Sequence, residues 1–127
     1  MSGGARILAL AAVVAAVASH PAAIAADERG KRLFEECAAC HAAQATKGAD
    51  EVGPALAGVL GRKAGTRDDF RYSAPMRRSG IVWTRATLDG YLADPQSVVP
   101  GTRMPYAGMP DAADRQALID YLQRELK

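Results

Sequence analysis

Cysteine occurs twice in the 127 residues, and both copies fall in the run Cys37-Ala38-Ala39-Cys40-His41. No other feature narrows the possible folds as far. Two thiols about one helical turn apart can meet the two vinyl groups on one edge of a porphyrin, and an imidazole beside them can reach the iron. Cys37 and His41 stand four apart, so one turn presents all three groups to the same side. Three other chemistries compete for the motif. A closed zinc site needs a fourth ligand, and two cysteines with one histidine supply three. A redox dithiol of thioredoxin type follows a strand in a βαβ pattern, whereas this motif ends a helical stretch. A disulfide closed across two residues is strained. Together with export to an oxidising compartment, the motif points to one covalently attached haem c per chain.

Export is read from the N-terminus. Arg6 is the only charge in a short leader, Ile7 to Ser19 is an unbroken apolar run, and His20-Pro21 interrupts it. Ala23-Ile24-Ala25 then gives the small-x-small pattern that signal peptidase accepts. The apolar run is too short for the roughly 20 residues that a membrane-spanning helix needs. Residues 1–25 are therefore expected to be a cleaved signal peptide, with the cut before Ala26 or Asp27, and 26–127 a single exported domain of the periplasm. No stable membrane insertion is expected. Cleavage removes Arg6 and His20, leaving His41 as the sole histidine and 15 basic against 14 acidic side chains. That balance argues against nucleic-acid binding by bulk charge. The exported domain keeps seven aromatic residues, a thin supply of large apolar side chains for a chain of this length, so something else is expected to fill its middle.

The hydrophobic spacing is that of an all-α protein. Asp27 to Cys40 reads as a helix with Leu33, Phe34 and Cys37 on one face. Gly30 lies on that face one turn earlier, where a glycine is costly unless another helix crosses closely. Glycines and Pro54 break up residues 42–64, with one short helical turn expected near Leu56 to Leu60. Ser73 to Arg78 reads as a brief helix stopped by Gly80. Thr84 caps Arg85 to Ala93, with Leu88, Tyr91 and Leu92 sharing a face, and Asp94-Pro95 ends it. Val98 to Pro110 reads as an extended loop. Asp111 opens a last helix with Leu118, Tyr121, Leu122 and Leu126 along one side.

With His41 alone among histidines, a second axial ligand to iron is a methionine sulfur, a lysine or the terminal amine. Met104 and Met109 lie in the Pro-rich loop, which can aim a side chain, and Met76 falls in the short middle helix, where it reads as packing. Elimination ranks Met104 first and Met109 second.

At this point the residues resemble a known family. The domain is similar to the short soluble class I cytochromes c, of mitochondrial and bacterial type, over nearly its whole length. Beyond Cys37 to His41, the resemblance is carried by Gly53-Pro54 with Leu56, Gly58 and Gly61-Arg62-Lys63; by Gly80-Ile81-Val82-Trp83 with Leu88 and Tyr91-Leu92; and by Pro100-Gly101-Thr102-Arg103-Met104-Pro105-Tyr106-Ala107-Gly108. It implies the cytochrome c fold, in which N- and C-terminal helices cross and shorter helices and loops wrap the haem. It also implies thioethers at Cys37 and Cys40, His41 as proximal ligand and Met104 as distal ligand. The Pro54 carbonyl would accept from His41, and Tyr72 and Trp83 would donate to a haem propionate whose charge Arg62 compensates. Tyr91 and Thr102 would line the methionine side, and Gly30, Phe34 and Tyr121 would form the helix crossing.

The function so implied is electron transfer between redox proteins, with no enzyme activity, by a monomer whose partners include membrane respiratory complexes or a periplasmic dehydrogenase. Contact with them is expected around Cys37, Lys47, Arg103 and Tyr106. The competing readings are a peroxidase-like haem enzyme with an open sixth position and a dedicated cytochrome subunit of a periplasmic dehydrogenase. The sequence departs from the family in two respects. Met76 stands where an asparagine is usual. Glu36, Gln96, Ser97 and Pro110-Asp111-Ala112 replace family docking lysines, so two ionised propionates bring the net charge to about −1.

Overall fold

The structure is a computed structural model, and it describes residues 1, 21–45 and 52–127. Five helices follow in order: α1 (Pro21–Ala38), α2 (Ala74–Arg78), α3 (Arg85–Ala93), α4 (Pro95–Val98) and α5 (Ala112–Glu125). Among the described residues the β-structure amounts to two isolated bridges, His41 with Gly53 and Lys63 with Val82. The all-α class is as the spacing predicts.

The frame is the crossing of α1 and α5. Gly30 and Phe34 are the buried residues of α1, and α5 buries Ala117, Leu118, Ile119 and Leu122. A Cβ on Gly30 would come within 2.8 Å of the Tyr121 Cβ and closer still to the Ala117 carbonyl oxygen. Here the missing side chain is what lets the helices touch, which offsets the helix propensity lost at that position. Phe34 and Tyr121 complete the crossing with ring centroids 5.4 Å apart. Ion pairs of Arg29 with Asp114 and of Arg124 with Asp27 flank it on the surface.

Capping explains the shorter elements. Thr84 and Thr87 form a reciprocal capping box at the start of α3, whose Leu88, Tyr91 and Leu92 are buried. Ser73 caps α2 by accepting from the Met76 N–H, and Asp111 caps α5 by accepting from that of Asp114.

Three parts of the chain differ from the sequence expectation. Helix α1 starts at Pro21 rather than Asp27 and ends at Ala38 rather than Cys40. Proline suits a first helical turn, and the alanine-rich run after it propagates helix without a stop. Residues 21–26 are nevertheless exposed and bury nothing. Leu56 to Leu60 is a pair of turns, not a helical turn, because Gly58 and Gly61 take φ of +66° and +85°. Helix α4 was not expected. Asp94 closes α3 and at once accepts from the Ser97 N–H with Pro95 at the first helical position, so one residue serves two helices. The apolar leader Ile7 to Ser19 and Lys47 lie outside the described residues.

Candidate haem site

Beyond Ala38 the chain stays wound for one more turn. The N–H groups of Cys40 and His41 both donate to the Cys37 carbonyl, at 3.1 and 2.8 Å. This turn brings Cys37, Cys40 and His41 onto the wall of one cavity of about 550 Å³. That volume falls within the roughly 300–1,000 Å³ of small-molecule and cofactor sites.

Gly53 and Pro54 set the imidazole. The Gly53 N–H donates to the Cys40 carbonyl at 2.8 Å, drawing this strand of loop against the motif. A Cβ at position 53 would lie 2.6 Å from His41 Cε1, so the ring has its place only because residue 53 has no side chain. His41 Nδ1 lies 2.7 Å from the Pro54 carbonyl oxygen. A carbonyl can only accept, so Nδ1 carries the proton and Nε2 keeps its lone pair for a metal. Hydrogen bonding of the remote ring nitrogen also fixes orientation and raises ligand basicity.

The methionines separate cleanly. Met104 lines the cavity, and the Tyr91 hydroxyl stands 3.6 Å from its sulfur. The same hydroxyl is 3.0 Å from Thr102 Oγ1, which also accepts weakly from the Met104 N–H at 3.4 Å. Burial pushes the Tyr91 phenol up, so it stays a neutral donor. Met109 is instead buried in the apolar core with its N–H donated to the Leu92 carbonyl, and it does not line the cavity. Met76 packs against the core and lines the cavity as well, so it is more than packing.

The remaining predicted residues, Arg62, Tyr72 and Trp83, face the same space. Trp83 is buried and its ring sits 5.0 Å from that of Tyr91. Arg62 donates to the carbonyls of Ala57 and Ala55, at 2.9 and 3.4 Å, rather than to a carboxylate. Burial lowers its pKa, with the Tyr72 phenol acting the other way. A half-buried guanidinium of this kind, held by neutral groups beside a phenol and an indole N–H, is suited to an anionic edge of a ligand.

The Cys37 thiol lacks the character of a redox thiol. Cys37 donates weakly to the Leu33 carbonyl, and its burial, with Glu36 adding, pushes its pKa up to about 11. A reactive dithiol needs the opposite shift. Cys37 and Cys40 are both unpaired, and among the described residues no three His, Cys, Asp or Glu side chains gather as a metal cluster. The set present, two thiols, one oriented imidazole, one thioether and an apolar cavity edged by Arg62, Tyr72 and Trp83, fits a covalently held haem.

Sequence reasoning overlooked part of the wall. Phe70, Arg71 and Ser73 line the cavity, with Phe70 edge-on to Tyr72 at 4.9 Å. The spacing of two between Phe70 and Tyr72 was the available signal, since in extended chain it puts both rings on one side. Leu118 and Leu122 close the floor from α5. The thin aromatic supply leaves this cavity unfilled by side chains, with room for a prosthetic group to complete the core.

Helices crossing over a cavity that joins a Cys-x-x-Cys-His turn to a methionine define a c-type haem protein of the electron-transfer class. The cytochrome c family profile matches residues 28–124, and the chain belongs to the cytochrome c family, whose members carry one covalent haem c. It is 50% identical over 90 residues to cytochrome c2 iso-2 of Magnetospirillum fulvum, covering 71% of this chain and 92% of that one. Cytochrome c2 of Rhodomicrobium vannielii is 41% identical over 115 residues, covering 89% and 91%. Among solved structures, cytochrome cH from Methylobacterium extorquens superposes with a TM-score of 0.68 at 38% identity, covering 76% of this chain and 96% of that one.

Proposed function

We propose that the exported domain, residues 26–127, is a periplasmic carrier of single electrons in which His41 and Met104 would ligate the haem iron. The observation that carries this reading is the pair of restraints on the two ligand side chains: Pro54 on His41, and Tyr91 with Thr102 on Met104. Bound haem c supplies the one-electron Fe(II)/Fe(III) couple. The chain's own residues decide how it is used. Cys37 and Cys40 anchor it. The Pro54 carbonyl orients the imidazole, and the Tyr91 hydroxyl holds the thioether in place, which favours a filled sixth position over an open one. Methionine as second ligand raises the potential relative to bis-histidine ligation. Arg62 would compensate the charge of a propionate edge to which Tyr72 and Trp83 would donate hydrogen bonds. Ligand side chains restrained in this way would move little between the two valence states, as outer-sphere transfer requires.

The periplasmic assignment rests on the leader sequence, and no helix among the described residues is long and apolar enough to cross a membrane. Redox proteins are the partners, met through a small transient interface near Cys37, Arg103 and Tyr106. Tyr106 lies beside this edge, its phenol pushed up by burial first and then by Cys37 and Glu36.

The direct test is covalent attachment. After denaturing electrophoresis of the exported protein, the pigment should migrate with the polypeptide, and it should be lost from the Cys37→Ser/Cys40→Ser double variant. Pigment that dissociates from the unaltered chain would overturn the reading.

Two further results are expected. Met76→Asn puts an amide where a thioether now lines the cavity, and hydrogen bonding and dielectric around a haem tune its potential. The midpoint potential should therefore move, and an unchanged value would reject the role given to Met76. With a net charge of about −1, reaction with a partner should change less than about threefold on adding moderate salt, whereas steering by a strongly charged face is worth roughly 10–10³. Stopped-flow rates across a salt series check this.

A further inference from the structure

A second, open groove of about 590 Å³ lies beside the haem cavity, and it is lined by Arg71, Arg77 and Arg103 with Tyr72, Ser73 and Gly101. Its arginines differ from most others in the fold. Arg29, Arg67, Arg85, Arg115 and Arg124 each pair with an aspartate. Among the described residues, Arg71, Arg77 and Arg103 make no ion pair. Asp69, the carboxylate nearest in sequence, is engaged by Arg67 through two hydrogen bonds.

Two of the three guanidiniums are nonetheless held in place. Arg103 donates to the Arg71 carbonyl, and Arg77 donates to the Tyr72 carbonyl. Each uses one of its five N–H groups and keeps the rest of its fork free. Fixed guanidiniums lose less side-chain freedom on binding, and their planar forks match phosphate oxygens. The geometry points to a binding site for a phosphate-bearing anion of two or more negative charges in the groove formed by Arg71, Arg77 and Arg103. Three forks around one concavity suit a compact anion better than the flat acidic surface of a protein, which would meet projecting side chains.

Arg71, Tyr72, Ser73 and Arg103 line both spaces. A bound anion therefore adds negative charge beside the haem cavity, stabilises the ferric state and lowers the midpoint potential. By reciprocity the ferric protein binds the anion more tightly than the ferrous. This redox consequence rests on the electron-carrier reading, whereas the binding itself does not.

The test is calorimetric titration of pyrophosphate into the purified holoprotein at low ionic strength. One saturable site per chain is expected. Arg71→Gln and Arg77→Gln should each weaken it about tenfold, as loss of a charge-assisted hydrogen bond would. Lys127→Gln, which removes the same charge outside the groove, should leave it within about twofold. Arg71 is the cleaner variant, because its guanidinium makes no hydrogen bond among the described residues. Unchanged affinity in both arginine variants would overturn the site, as would equal weakening by Lys127→Gln. If the arginine variants alter only the salt dependence of reaction with a redox protein, the groove is a protein-docking face and the proposal fails. Binding to the arginine site with no shift of midpoint potential would retain the site and reject its coupling to the haem.

Discussion

Replacing Met104 by alanine is expected to lower the midpoint potential by roughly 0.2 V, a quarter of the ~0.8 V range over which axial ligands set haem potentials. The variant should also bind small exogenous ligands that the unaltered protein excludes. The reason is local. Met104 is the methionine that both lines the cavity and lies within reach of a hydroxyl donor, Tyr91, whereas Met109 is enclosed in the apolar core and Met76 sits on the α2 side. Nothing in the geometry offers a substitute from the same loop. Met109→Leu, close in volume, should cost less than about 1.5 kcal/mol and leave the potential in place. Redox titration of the two variants separates the assignments: a potential that moves with Met109 and not with Met104 would reverse them.

The second large effect falls far from the cavity. Gly30→Ala should destabilise the protein by about 2–3 kcal/mol, the upper part of the range for overpacking a close-fitted core. For a domain of about 100 residues this corresponds to a fall in Tm of roughly 10–20 °C. The added methyl has backbone on one side, the Ala117 carbonyl, and the Tyr121 Cβ on the other, and neither can rotate away as the end of a flexible chain could. The helices must separate, and Phe34 and Tyr121 lose their contact. Leu118 and Leu122 sit on the same helix and floor the haem cavity, so the variant should also loosen the pocket. Thermal unfolding followed by helix circular dichroism and by haem absorbance reads both. A Tm within 2–3 °C of the unaltered protein would contradict the role given to this crossing.

How far the sequence carried these conclusions depends on the kind of signal each residue gave. Helix α3 was legible to the residue, because Thr84 and Thr87 cap it by local chemistry and Leu88, Tyr91 and Leu92 mark its face. Gly30 was legible for the opposite reason: a residue that weakens a helix on its apolar face must be there for a neighbour. Helix α4 was missed because its cap, Asp94, had already been spent as the end of α3, and four residues are too few for any periodicity. The glycine-rich stretch after Pro54 was misread locally, since Leu56 to Leu60 has helix-forming side chains and only the positive φ of Gly58 and Gly61 stops them.

In the site the same division holds. Cys37, Cys40 and His41 are contiguous and announce themselves. Elimination already ranked Met104 ahead of Met109, the resemblance implied the same choice, and the fold adds the physical distinction between a cavity wall and a core. Phe70, Arg71 and Ser73 belong to a stretch without helical period, where the spacing of two between Phe70 and Tyr72 is the one local hint and does not say which space the pair will face. The arginine groove was equally hidden, because its members at 71, 77 and 103 meet only through the docking of the Met104 loop against α2.

The most direct measurement is an optical absorption spectrum of the exported, purified protein in its oxidised and reduced forms. The account predicts the sharp reduced bands of a low-spin haem attached through two thioethers, together with a methionine-to-iron charge-transfer band in the oxidised form that vanishes in Met104→Ala. A colourless protein that folds without iron, or a high-spin spectrum lacking that band, would contradict it.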